Sequence, residues 1–166
     1  MAALVAPLML VGASPVTAAG VAMRASLDVT FEQPTTFCAP EVLVVEGSGP
    51  GTLTLDAFDG DVEAEMSQCT HFIVGGPFDP DATVTVGKVT DGFLTLTAAD
   101  DGGGVLVLAY EGGFVANGLG TIGYGNWEVW DSSGIFAGAS GHGGMHLFSE
   151  EPLALHVELM GSVVVP

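Results

Sequence analysis

The chain has 166 residues and a formal net charge of −18, with 20 acidic residues against 2 Lys plus Arg. Phosphate binding needs clustered bases, so a nucleic-acid partner is excluded, and an anionic membrane surface is disfavoured for the same reason. Charged residues make up only 13%, below the roughly 25% of ordinary domains, so the acidity reflects missing bases more than surplus acids. An acidic shell that keeps a β-rich protein soluble and a salt-rich habitat both fit this balance.

Residues 1–23 carry no charged side chain and run through Leu4, Val5, Leu8, Met9, Leu10 and Val11 before turning small and polar at Ser14, Pro15 and Thr17. Val16-Thr17-Ala18 suits a cleavage site, so residues 1–18 read as a signal peptide. The missing basic n-region is a departure, and an uncleaved anchor is the rival reading. A single domain follows over residues 24–166.

Period-two alternation then dominates, and no stretch has a clean helical period. Leu27, Val29 and Phe31 alternate with Asp28, Thr30 and Glu32. Val42 to Val45 forms a strand that Gly47-Ser48-Gly49-Pro50 is expected to end. Thr52 to Phe58 forms the next, with Asp59-Gly60 as its hairpin signal. Val62, Ala64 and Met66 alternate with Glu63 and Glu65, which read as plain surface. Gly75 to Asp81 reads as a loop, Phe93 to Ala98 as a strand and Asp100 to Gly104 as a turn. Val105 to Tyr110 is an apolar run suited to a strand covered on both faces. Thr121 to Trp130, Ile135 to Phe148 and Leu153 to Val165 complete about eight strands, the pattern of an all-β sandwich or barrel.

Cys38 and Cys69 are the only cysteines. An even count in an exported chain points to a disulfide and to a secreted, periplasmic or extracellular location; two buried free thiols are the alternative. In the C-terminal hairpin, a turn centred on Glu151 sets Leu147 opposite Leu155, Met145 opposite Val157, and His146 opposite His156. Leu155, Val157 and Leu159 then share the apolar face, and the two histidines point away from it.

Ser133-Gly134-Ile135-Phe136-Ala137-Gly138-Ala139-Ser140-Gly141 resembles the Gly-x-Phe-x-Gly-x-x-Gly turn of the allene oxide cyclase-like barrel proteins. That family includes the plant cyclases, the dirigent proteins and many bacterial secreted members. Residues 153–161 (LALHVELMG) resemble its penultimate strand, and residues 92–110 (GFLTLTAADDGGGVLVLAY) a two-strand unit of the bacterial members. The likeness covers about half of the mature chain. It implies a small antiparallel closed barrel of the calycin-like kind, with Phe136 plugging one end, but transfers no catalytic residue.

Such a barrel encloses packed side chains or one small apolar ligand. Candidate pocket residues are Tyr110 and the shared strand face of Tyr124, Asn126, Glu128 and Trp130; a solvated outer face is the plainer reading of that strand. His142 and His146 are four apart, about 13 Å along a strand, too far to share an ion. His146 and His156 are weak metal candidates, and surface histidines are the simpler reading. No Ser-His-Asp arrangement is evident, and Gly102-Gly103-Gly104 lacks the helix a nucleotide site needs. The expected function is therefore a barrel that binds, or isomerises or cyclises without a cofactor, a small apolar molecule. The alternative is a non-catalytic exported protein acting through its outer surface as a homo-oligomer.

Overall fold

A computed structural model of the chain describes residues 20–32, 34, 36–56, 58–76, 81–99, 103–149 and 153–166. The expected leader over residues 1–18 lies outside them, as do parts of the loops at residues 75–81 and 100–104 and the turn at residues 150–152. The strands are β1 (Val21–Phe31), β2 (Phe37–Ala39), β3 (Val42–Leu55), β4 (Phe58–Val74), β5 (Val84–Ala98), β6 (Gly104–Asn117), β7 (Gly120–Gly134), β8 (Ser140–Ser149) and β9 (Ala154–Val164). All neighbours pair antiparallel in the order β1-β9-β8-β7-β6-β5-β4-β3-β2, and β1 also pairs with β3. Eight strands therefore close into a barrel, with β2 as a short addition on β3.

Alternation decides which face is buried. Met23, Ala25, Leu27, Val29 and Phe31 of β1 point inward, as do Val62, Ala64 and Met66 of β4 and Val157, Leu159 and Val163 of β9. Their intervening neighbours, such as Ser26, Asp28, Glu63 and Glu65, face out. The apolar face is thus the inner one, the inverse of a lipid-embedded barrel. At one end the interior is solid: Leu53, Leu55, Leu94, Leu96, Leu106 and Leu108 are fully buried. Phe136 closes this base, its ring edge-on to Phe58 at 5.2 Å between centroids. It sits in a turn whose Gly134 and Gly138 adopt φ of 61° and 78°, a left-handed backbone that glycine takes without a Cβ penalty. The start of β1 and the end of β9 meet at this base, where Val21 pairs with Val163.

Several expected boundaries move; the strand expected from Ile135 begins at Ser140, after the Phe136 turn. Gly47 to Pro50 does not end a strand, because β3 runs unbroken through it. Gly47, Gly49 and Gly51 face β1 at the seam where the barrel closes, and a Cβ on Gly47 would stand 2.8 Å from the Phe31 ring. The glycines let β1 cross closely, which a side chain would prevent. Asp59 and Gly60 are not the hairpin turn but ladder residues opposite Thr54 and Leu53. The connection is three residues earlier, between Leu55 and Phe58, where Asp56 takes a positive φ of 52°.

The β8–β9 register also differs from expectation. Leu147 pairs with Val157, Met145 with Leu159, His146 with Glu158, and Phe148 with His156. Leu153 adopts φ 66°, and its carbonyl accepts the Phe31 N–H at 2.7 Å, so it belongs to the connection and β9 begins at Ala154. The pairing shifts by two residues, which preserves the face of every side chain. β1 begins at Val21, so the barrel starts earlier than residue 24.

Cys38 and Cys69 form a disulfide, Cα–Cα 6.1 Å, between residues 31 apart. It ties β2 to β4 past the intervening β3. A disulfide of this kind persists in a non-reducing environment. Closing a loop of this size corresponds to about 3–4 kcal/mol of stabilisation. Intact protein alkylated without reductant is expected to gain no label by mass spectrometry. The Cys38→Ser/Cys69→Ser variant is expected to lose about 3 kcal/mol in urea unfolding; an unchanged midpoint would show that the bridge does not constrain the unfolded chain.

Candidate ligand-binding pocket

The end of the barrel opposite Phe136 is open. A cavity of about 340 Å³ lies there, within the size range of small-molecule sites. Phe31, Leu43, Val45, Met66, Phe72 and Val89 line it from β1, β3, β4 and β5. Met145, Leu147 and Leu155 line it from β8 and β9. Its rim includes Glu32 and Pro34 from the β1–β2 connection, where the Glu32 N–H donates to the Glu46 carbonyl at 3.0 Å. The disulfide-tethered β2 lies beside the cavity wall: its Phe37 pairs with Leu43, which lines the cavity.

The buried polar side chains of the pocket form one chain of hydrogen bonds. Tyr110 donates its hydroxyl to Gln68 Oε1 at 2.6 Å, and Gln68 Nε2 donates to Thr70 Oγ1 at 3.0 Å. Gln68 and Thr70 are the buried polar residues among those described. A glycine makes this contact geometrically available. Gly92 of β5 pairs with Tyr110, and a Cβ there would stand 2.6 Å from the phenol ring. Tyr110 therefore lies flat across β5 and reaches β4. A bulge between Val89 and Gly92, with Asp91 at φ 49°, sets the phase that turns Gly92 inward. Burial pushes the Tyr110 phenol well above the ordinary tyrosine value.

Other aromatic residues repeat the device. The Phe114 ring covers Gly87, and the Trp127 indole covers Gly143 and Gly161. Trp127 Nε1 donates to the Gly144 carbonyl at 2.9 Å. Because Trp127 faces inward, alternation turns Asn126 and Glu128 outward, where both are exposed. Trp130 sits at a β-bulge and is 66% exposed, with its ring 5.9 Å from that of Phe93. Tyr124 borders the pocket but is 74% exposed. Of the five residues singled out in the sequence, Tyr110 thus lies in the interior, Tyr124 at its edge, and Asn126, Glu128 and Trp130 on the outer face. Gln68 and Thr70 went unnoticed; their signal was the continuation of the Val62-Ala64-Met66 alternation into two polar residues on the same face.

The histidines lie outside the barrel. His146 and His156 are not directly opposed, and among the described residues no group of three or more His, Cys, Asp or Glu converges as a metal site. His156 has other partners. Its Nδ1 lies 2.7 Å from Asp28 Oδ1, and its Nε2 lies 3.2 Å from Ser26 Oγ. This is a serine–histidine–aspartate order that sequence spacing did not reveal, because it joins β1 to β9 across 128 and 130 residues. Nucleophilic catalysis also needs free N–H donors beside the serine. Ser26 is paired on both sides, with Thr52 of β3 and Glu158 of β9, so the surrounding backbone is committed to the sheet. The cluster is a cross-strand polar contact on an exposed face.

Compared with known proteins, the chain matches no protein-family model, no curated protein and no solved structure.

The Tyr110 phenol gives a pH signature. With its folded pKa raised, its contribution is fully present below the unfolded value of about 10 and is lost as pH rises above it. Urea stability of the wild type is expected to fall more steeply than that of Tyr110→Phe above pH ~10. At neutral pH the variant is expected to be less stable by about 1 kcal/mol, since Gln68 loses a donor. Parallel alkaline curves would contradict the buried-phenol assignment.

Proposed function

We propose that this chain is an exported barrel protein that binds a small apolar molecule in the open half of its interior. The observation that carries the reading is the cavity of about 340 Å³ with apolar walls and a single buried polar chain, Tyr110–Gln68–Thr70. Ligand sites are commonly built this way, from hydrophobic walls and a few placed polar groups. The likeness of Ser133 to Gly141 to the allene oxide cyclase-like proteins supports the same reading. The disulfide and the expected leader support a secreted or periplasmic location.

Isomerisation or cyclisation in this pocket would rest on holding a flexible molecule in a reactive conformation. Its carboxylates, Glu32 and Glu111, are exposed at the mouth, which favours binding over acid catalysis in the interior. A second reading, action through the outer surface as a homo-oligomer, is favoured by the exposed Ile122, Tyr124 and Trp130 of β7.

Thermal shift with naphthalene, a hydrocarbon small enough for the cavity, tests the binding reading. Ligand at a hundredfold excess over its Kd stabilises by about 2.7 kcal/mol, which should raise Tm by roughly 5–10 °C. Val45→Phe, which adds bulk to the pocket wall, is expected to abolish the shift while the protein remains folded by circular dichroism. A wild-type protein that shows no shift with naphthalene or related neutral compounds would count against a ligand-binding interior.

A further inference from the structure

We infer that the pocket selects uncharged molecules carrying one hydrogen-bond-accepting oxygen, a carbonyl or a hydroxyl, held by Thr70 and Gln68, and that it rejects carboxylates. The inference rests on the pocket reading above and adds the class of ligand.

The direction of the polar chain supplies the first argument. Tyr110 gives its only proton to Gln68 Oε1, which orients the amide so that Nε2 faces Thr70. Thr70 Oγ1 accepts from that nitrogen, and its own proton remains to be donated. Gln68 Nε2 likewise carries a second hydrogen beyond the one given to Thr70. The chain therefore ends in donors beside the cavity, and all three residues line it. Hydrogen bonds that point one way along a chain polarise each other, which strengthens donation at its end. An acceptor oxygen complements this terminus.

Charge supplies the second argument. Among the described residues the pocket lining includes no Lys, Arg or His, and it places Glu32 and Glu111 at the mouth. The chain as a whole carries −18. A carboxylate entering this cavity would leave water for two neutral donors, with no counter-ion, past like charges. A ketone or alcohol loses far less hydration and keeps the same donors. The walls of Leu43, Val45, Met145, Leu147 and Leu155 take the remaining apolar body.

Fluorescence titrations with naphthalene, 2-acetylnaphthalene, 2-naphthol and 2-naphthoate at pH 7 test this, because the four share one apolar body. The ketone and the alcohol are expected to bind at least about tenfold more tightly than the carboxylate. Thr70→Val keeps the side-chain shape and removes the donor. It is expected to weaken 2-acetylnaphthalene about fivefold and to leave naphthalene within about twofold. Should that variant fail to fold, Gln68→Leu/Tyr110→Phe removes the Gln68 donor without leaving a phenol unpaired, and is likewise expected to weaken 2-acetylnaphthalene more than naphthalene. Naphthoate binding as tightly as the ketone, or an equal effect of Thr70→Val on all four compounds, overturns the inference and leaves the pocket reading standing. Binding of none of the four overturns both.

Discussion

The interior of an eight-stranded barrel has a fixed girth, and this chain fills it by laying aromatic rings across inward-facing glycines of neighbouring strands. Tyr110 covers Gly92, Phe114 covers Gly87, and Trp127 covers Gly143 and Gly161. Each pair exchanges one large and one absent side chain, so the strands keep their spacing while a ring bridges beyond its nearest neighbour. The base uses a different solution, with leucines at successive inward positions of β3, β5 and β6 and Phe136 folded beneath them. Tyr110 and Phe114 line the cavity, which lies above the solid base.

The same arrangement accounts for the polar chain in an otherwise apolar interior. A tyrosine on β6 would ordinarily meet side chains of β5, but the missing Cβ at Gly92 carries its hydroxyl through to Gln68 on β4. A buried phenol without an acceptor would cost about 1–3 kcal/mol, so Gln68 is needed once Tyr110 is inside. Around the mouth the construction is different again. The rim is made from strand ends and the β1–β2 connection, and the Cys38–Cys69 bridge fastens β2 beside it. A wall of packed side chains and a rim held by a covalent tie have unequal dependence on hydrophobic burial.

Alternation was the legible part of the sequence. It gave the inward faces of β1, β4 and β9 correctly, because a period of two survives any ambiguity about partners. Register and bulges were not legible. The β8–β9 pairing lay two residues from expectation because Leu153, an apolar residue, occupies a left-handed position that favours glycine. The run Gly47 to Pro50 reads as a break by composition, yet the close approach of β1 makes glycine the fitting strand residue there. For Tyr124, Asn126, Glu128 and Trp130 the solvated outer face was the plainer reading of the sequence, and Trp127 turning inward over two glycines is what puts them there. The Ser26–His156–Asp28 cluster joins the first and last strands, and only closure of the barrel brings them together.

The seam between the first and last strands fixes where the chain leaves the barrel. Val21 and Val163 are paired at the base, and Pro166 packs near Gly138 of the Phe136 turn. The chain therefore enters β1 and leaves β9 at the pole opposite the mouth. A fused partner or a surface-immobilising tag joined after Pro166 would hold the molecule by that pole, with its opening turned away from the attachment.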